Sequence, residues 1–159
     1  MTKICMLSTG HDPLDDRIYY KETLSLVKRF FPIVLVMPGR GDDFKNSAGV
    51  AFVPLNNSSS LLSRLLAVPR SIGAVLKIKP DVCHFHDYEL IFILPFLKLF
   101  SRCKTIYDVH EVYPEMVLDS KKLPRMLLPC VAKIVDMSEK VLARLSDIIV
   151  TADENITAR

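Results

Sequence analysis

Pro80-Asp81-Val82-Cys83-His84-Phe85-His86-Asp87-Tyr88-Glu89 is the stretch that decides the fold. Lys79-Pro80-Asp81 stops a helical pattern, Val82 to Phe85 is a short apolar run of strand character, and the run ends abruptly in imidazoles and carboxylates. A packed core has no use for that chemistry, whereas a strand whose carboxyl end opens onto a ligand does. Side chains alternate across a strand, so Val82, His84 and His86 share one face while Cys83, Phe85 and Asp87 share the other. On this reading His84 lies one pleat deeper, as a core histidine satisfied by a backbone or aspartate partner. His86, at the strand end beside Asp87 and Glu89, is placed to meet a polar ligand and to exchange protons near neutral pH.

The same pattern recurs on either side. Ile4 to Ser8 runs into His11-Asp12-Pro13-Leu14-Asp15-Asp16-Arg17, and Thr105 to Val109 runs into His110-Glu111. Further short apolar runs at Ile33 to Met37, Val50 to Pro54 and Ile148 to Thr151 complete a set of strands. Helical patterns lie between them: about Asp16 to Phe30, with Tyr20, Leu24, Val27 and Phe31 on one stripe, then Leu61 to Lys79, Tyr88 to Phe100 and Leu123 to Leu145. Strands alternating with helices predict βαβ units and an α/β fold, a doubly wound, Rossmann-like parallel sheet. Such sheets bind ligands beyond the carboxyl ends of their strands, where His11, His86 and His110 all fall. Asp108 is positioned to orient a neighbouring histidine or to cap the following segment, and His110-Glu111 is either part of the site or a self-satisfied surface loop.

Punctuation agrees with these boundaries. Pro38-Gly39-Arg40-Gly41-Asp42-Asp43 predicts a loop, Asn56-Asn57-Ser58-Ser59-Ser60 offers helix caps, and Tyr113-Pro114 predicts a rigid loop edge. Pro69, Pro95 and Pro129 are expected to kink helices or mark their starts. In the third helical segment Leu61, Leu65, Val68, Ile72 and Leu76 form an apolar stripe, with Arg70 and Lys77 on the far side. No acidic residue falls between Asp43 and Asp81, so this helix carries either a solvated basic face or one that docks on anionic lipid.

The bulk numbers exclude several classes. A chain of 159 residues, half of them apolar, suits one domain with a substantial core. A net charge of +3 is too small for a nucleic-acid partner bound by neutralising many phosphates. No apolar run spans a bilayer, and Lys3 to Ser8 is too short for a signal peptide, so a cytoplasmic chain is expected. Cys5, Cys83, Cys103 and Cys130 are scattered singly and read as small buried hydrophobes. His84-x-His86 with Asp87 has the look of a zinc motif, but the further Asp-His pair is missing after Tyr88, so no metal is expected. The first loop, Ser8-Thr9-Gly10-His11, lacks the dinucleotide fingerprint, and Val53-Pro54 lacks the aspartate of a phosphoacceptor domain. Ser8 and Ser101 lie outside any nucleophile elbow.

Three motifs in this order carry a resemblance over nearly the whole chain: His11-Asp12-Pro13-Leu14-Asp15-Asp16-Arg17-Ile18 with Lys21-Glu22, then Pro80 to Leu90, then Ile106-Tyr107-Asp108-Val109-His110-Glu111-Val112-Tyr113-Pro114. Together they resemble the N-terminal domain of a GT-B glycosyltransferase of family 4 ("group 1"), retaining sugar transferases of polysaccharide biosynthesis. The resemblance implies two doubly wound domains, residues 1–159 being the acceptor side, with the C-terminal donor-binding domain lying beyond this chain. It implies His86 as the active-site histidine with Asp87 beside it. It further implies that Gly10, His11, Asp15, Arg17, Glu22, Glu89, His110 and Glu111 line the substrate. Many members carry paired glycines in the first loop where this chain has Thr9-Gly10-His11. The family's Glu-x7-Glu motif belongs to the second domain; Glu111 with Asp119 and Glu139 with Asp147 share only its spacing.

The implied reaction transfers a sugar from a nucleotide-sugar co-substrate to a glycan or lipid-linked acceptor with retention, without metal or other cofactor. A lipid-linked acceptor would place the protein peripherally at the inner face of the membrane. Ala152 to Arg159 begins like a helix and then stops, so the chain is expected to be a fragment, inactive alone. The alternatives are a noncatalytic acceptor-binding subunit and half of a GT-B nucleotide-sugar epimerase.

Overall fold

A computed structural model describes residues 1–39, 49–56 and 60–152. Six parallel strands, β1 (Ile4–Leu7), β2 (Ile33–Pro38), β3 (Val50–Leu55), β4 (Val82–Phe85), β5 (Lys104–Val109) and β6 (Ile148–Thr151), form one sheet in the order β3-β2-β1-β4-β5-β6. The order runs outward from β1 in both directions, as in the doubly wound nucleotide-binding folds, and the reversal falls between β1 and β4. All six strands stand where the apolar runs place them.

Alternation along β1 builds the two layers. Ile4 and Met6 face a segment that is π-helical over Asp16–Thr23 and α-helical over Leu24–Val27 (α1), in a core with Ile18, Tyr19, Ile33, Leu35 and Met37. Cys5 and Leu7 face the other layer, where Val75 of α2 (Leu61–Ile78), Leu90, Ile91, Leu94 and Leu97 pack with Phe85 and Tyr107. That layer includes a 3-10 turn at Tyr88–Ile93 running into α3 (Leu94–Phe100), and α5 (Leu128–Leu142), whose Glu139 accepts a 2.8 Å hydrogen bond from Tyr107 Oη.

Local chemistry sets the ends. Ser60 caps α2 by accepting from Ser63 N–H, and Lys79 ends it in the left-handed conformation ahead of Pro80. Pro95 and Pro129 sit in the first turns of α3 and α5, as expected of proline at helix starts, while Pro69 lies inside α2. The expected caps at Asn57 to Ser59, most of the loop after Gly39 and the terminal helical pattern lie outside the described residues.

Four expectations are corrected. Tyr113-Pro114 opens a helix, α4 (Tyr113–Leu118), because proline suits a first helical turn as well as a loop. The helix expected from Leu123 begins at Leu128, since Pro124 and Pro129 divide the pattern. The fully buried stripe of α2 is Ala67, Ser71 and Val75; Val68 and Ile72 of the expected stripe pack half-buried against the core, while Leu65 is 43% exposed, so the buried face is rotated relative to the apolar periodicity. Cys130 is exposed, unlike the other three cysteines.

Candidate functional site

The carboxyl ends of β1, β4 and β5 carry two charged clusters, one on each face of the sheet. The first holds the loop after β1. Asp87, only 2% exposed, accepts from Ser8 Oγ and Thr9 N–H at 2.7 Å and from Gly10 N–H at 3.3 Å. Glu89, 3% exposed, accepts from the Thr9 hydroxyl. Arg64, from the first turns of α2, closes the arrangement: Nη2 lies 2.8 Å from Asp87 Oδ1 and 3.0 Å from Glu89 Oε2, and Nε 2.5 Å from Glu89 Oε1. Burial works against the Arg64 cation, yet the hydrogen bond with Glu89 and the charges of Asp87 and Glu89 hold its pKa above the ordinary guanidinium value. A Cβ on Gly10 would come within 2.7 Å of the Arg64 guanidinium and of Asp87 Oδ1, so a larger residue there has to displace this ion pair.

The second cluster gathers Arg17, Glu22, His84, His86, Asp108 and His110. Asp15 starts it by capping the first helix, accepting from Arg17 N–H at 2.8 Å and Ile18 N–H at 2.9 Å; its other oxygen is 3.1 Å from His11 Nδ1. Burial opposes that charge, but the two backbone donors and His11 keep Asp15 below the usual carboxylate range. The helix then widens: Leu24 N–H reaches back to Tyr19 O, and Tyr20 N–H to Asp15 O. Residues five apart do not face each other on an α-helix, but on this wider turn they do, and Arg17 Nε meets Glu22 Oε1 at 3.1 Å. The wide turn also explains why Tyr20 is 51% exposed while Ile18, Tyr19 and Thr23 are buried, against the stripe predicted from a 3.6-residue period.

Arg17 Nη2 reaches both oxygens of Asp108 at 2.7 Å. Burial works against the Asp108 charge, but His110, His84 and Arg17 hold it ionised far below the ordinary range. Glu22 is pushed upward by burial, which the charges of His84 and Arg17 only partly offset. The imidazoles of His84 and His86 lie 4.5 Å apart between these two carboxylates. His86 Nε2 is 3.5 Å from Glu22 Oε2 and its Nδ1 3.6 Å from Asp108 Oδ2; His84 Nδ1 is 3.9 Å from Glu22 Oε2 and its Nε2 3.7 Å from Asp108 Oδ2. None of these is short enough for a good hydrogen bond, and Glu22 Oε2, His84 Nε2 and both nitrogens of His86 are buried without a hydrogen-bond partner. Burial drives His86 well below the imidazole range, with the His84 charge adding to it, so His86 is neutral. The neighbouring Asp108 carboxylate, 3.8 Å from His110 Nδ1, raises His110 instead.

The depth expected of the two strand histidines is reversed. His86 has no accessible surface and His84 retains 14%, because the first helix, His110 and the chain after β5 cover the strand end. Tyr113 Oη donates to His86 O at 3.0 Å and pins that cover. Of the residues singled out by sequence, Gly10, Asp87 and Glu89 belong to the Arg64 cluster and Arg17, Glu22, His86 and His110 to the second. His11 stands between them, 3.9 Å from Asp87 and with its ring 5.2 Å from that of His110. Asp15 serves as a cap, and Glu111 is exposed at the rim. Sequence reasoning missed Arg64 and Tyr113. A cation in the first two turns of a helix opposes the macrodipole, and that was the available signal for Arg64. A shallow depression lined by Leu76, Lys79, Asp81, Phe100 and Arg102 sits at the opposite, amino ends of β4 and β5.

No protein-family profile matches the chain, and no curated protein does. Among solved structures, the sucrose-phosphate synthase of Thermosynechococcus elongatus superposes on 99% of the chain with a TM-score of 0.70 at 11% identity. The chain has a glycosyltransferase-like, Rossmann-type fold. That synthase is a GT-B glycosyltransferase, and the chain spans 44% of its length. A short-chain dehydrogenase/reductase of Burkholderia vietnamiensis also matches, with a TM-score of 0.52 and 12% identity over 99% of this chain and 86% of that one. Two such different proteins share the doubly wound sheet, so the likeness carries the fold and leaves the chemistry to the residues. No helix among the described residues is long and apolar enough to cross a membrane.

Proposed function

We propose that the chain is the acceptor-side domain of a retaining GT-B glycosyltransferase of family 4, which moves a sugar from a nucleotide-sugar donor to a glycan or lipid-linked acceptor in polysaccharide biosynthesis. The observation that carries this reading is the convergence of the three motif segments, from β1, β4 and β5, on one polar site in a glycosyltransferase-like fold.

In such a transfer, positive charge develops on the sugar and negative charge on the leaving diphosphate. His11 and the partly exposed His84 face the sugar and acceptor side, with Glu22 and His110 lining the site beneath them. His86 lies behind them and spaces Glu22 from Asp108 by packing between them; Asp87 fixes the loop that carries His11. Arg17 and Arg64 are both engaged by carboxylates, so the diphosphate is met by cations of the second domain. In the intact enzyme, His86→Ala is expected to misplace Glu22 and His84 and lower the transfer rate by about 100-fold while the melting curve stays cooperative. Wild-type turnover in that variant would refute the assignment.

A lipid-linked acceptor places the domain at an anionic, cytoplasmic membrane face. Leu62, Leu65 and Leu66 are exposed on α2 beside exposed Arg70 and Lys77, which supports this, although Arg64 is turned inward. Flotation with anionic vesicles is expected, and its loss in an Arg70→Glu, Lys77→Glu variant. Equal flotation with neutral vesicles would contradict an electrostatic contact.

A further inference from the structure

We infer that Glu22, His84, His86 and Asp108 form a four-ligand site for a tetrahedral divalent ion of the zinc type. One ligand atom from each lies within 4.8 Å of all the others. The group joins three elements remote in sequence: the π-helical turn, the β4 end and β5.

Three observations point the same way. First, the spacing suits an ion better than direct pairing. Metal–ligand bonds of about 2.1 Å at tetrahedral angles put ligand atoms about 3.4 Å from one another. The four imidazole–carboxylate separations here run from 3.5 to 3.9 Å, beyond a good hydrogen bond; with one nitrogen taken from each ring, the four ligand atoms lie within 4.8 Å of one another, so the side chains would close inward around an ion. Each imidazole presents one nitrogen to Glu22 and the other to Asp108, so either tautomer leaves a nitrogen beside a carboxylate oxygen. Second, three of the four residues carry buried, unclaimed atoms. His86 has no accessible surface and neither of its nitrogens has a hydrogen-bond partner, and Glu22 Oε2 and His84 Nε2 are likewise buried without one. Buried polar atoms without partners are rare, and a shared ion at their centre would give each of these side chains a partner.

Third, an outer layer is already in place. Arg17 holds Glu22 through Oε1, leaving Oε2 turned to the histidines, and holds Asp108 through both oxygens. Partners of this kind orient ligands in metal sites. Two imidazoles and two carboxylates suit zinc, cobalt or manganese, and the imidazole nitrogens disfavour magnesium and calcium, which take oxygen ligands. Four protein ligands would close the coordination sphere, so the ion ties the first helix to the ends of β4 and β5 rather than activating water. The sequence pattern suggested no metal because the further Asp-His pair is missing after Tyr88. Asp87 lies on the opposite face, and the actual partners are distant in the chain.

The inference assigns residues that the transferase reading also uses, and it is tested without turnover, so its failure is distinguishable from the failure of that reading. The full chain, free of any affinity tag, is stripped with a chelator and titrated with zinc in competition with a chromophoric chelator, and with cobalt followed by its visible absorption. About one equivalent of zinc per chain is expected, a tetrahedral cobalt spectrum, and a rise in melting temperature on zinc addition. His84→Ala and Glu22→Gln are each expected to weaken zinc more than about 100-fold, beyond what loss of an outer-layer partner costs. The amide oxygen introduced by Glu22→Gln can still accept from Arg17 Nε, which keeps that variant informative if His84→Ala does not fold. Absence of stoichiometric binding, or binding unchanged in either folded variant, overturns the proposal. So does binding that vanishes in Cys130→Ser, since the ion then sits on the exposed thiol.

Discussion

Replacing Arg64 with methionine removes the guanidinium that faces two almost fully buried carboxylates while keeping most of the side chain's apolar stem. In the wild type its three contacts to Asp87 and Glu89 run from 2.5 to 3.0 Å, and the two acids are 2% and 3% exposed. Removing one partner from a buried ion pair costs about 3–5 kcal/mol, because the remaining charge stays desolvated. The Arg64 side chain is 26% exposed, so water can partly enter the vacated space, which points to the lower end, about 3 kcal/mol. Total stabilities are about 5–15 kcal/mol, so the variant folds but is clearly weakened. At about 2–4 °C per kcal/mol for a domain of this size, the melting temperature falls by about 6–12 °C. Urea unfolding followed by circular dichroism reads the same loss as a lower midpoint at unchanged slope. Adding Glu89→Gln to Arg64→Met removes one of the stranded charges, so the double variant recovers part of the loss and the two changes are not additive. A loss below about 1 kcal/mol, or strict additivity, would refute the claim that Arg64 neutralises this pair.

Two further outcomes follow from the same geometry. Gly10→Ala places a methyl group against the locked Arg64 guanidinium and Asp87, so it is expected to destabilise by about 1–3 kcal/mol in wild type and by much less in Arg64→Met, as denaturant midpoints will show. The histidines divide by pH. His86, depressed by burial, refuses the proton that the unfolded chain takes up below about pH 6.5, so its contribution to stability is lost as pH falls. His110, raised by Asp108, does the opposite: its stabilisation is present below about pH 6.5 and is lost as pH rises through its folded value. His110→Ala is therefore expected to lose more stability than wild type as pH falls from about 7.5 to about 5.5, with chelator present. An unchanged pH slope would contradict the assignment, as would His86 titrating above His110 by imidazole NMR.

The strands were legible because parallel strands buried on both faces read as bare apolar runs, and Ile4 to Leu7 and Ile33 to Pro38 do so without ambiguity. The first helix was legible as an element but not in its facing, since a period assumed to be 3.6 misplaces Tyr20 and separates Arg17 from Glu22. Depth at the strand end failed for another reason. Pleat position gives the side a residue faces, while burial of His86 depends on helix and loop segments that cover it from elsewhere in the chain. Arg64 joins Asp87 and Glu89 across more than twenty residues, and nothing local in the α2 sequence names those partners.

The wide first helix separates chain length from site geometry. Removing the exposed Tyr20 would return the segment to ordinary α-helical spacing and leave Arg17 and Glu22 four apart, still on one face. A relative one residue shorter here would present the same acid to the same histidines. A search that insists on Arg-x4-Glu would pass over it, whereas one that tolerates a single gap between the two residues would find it.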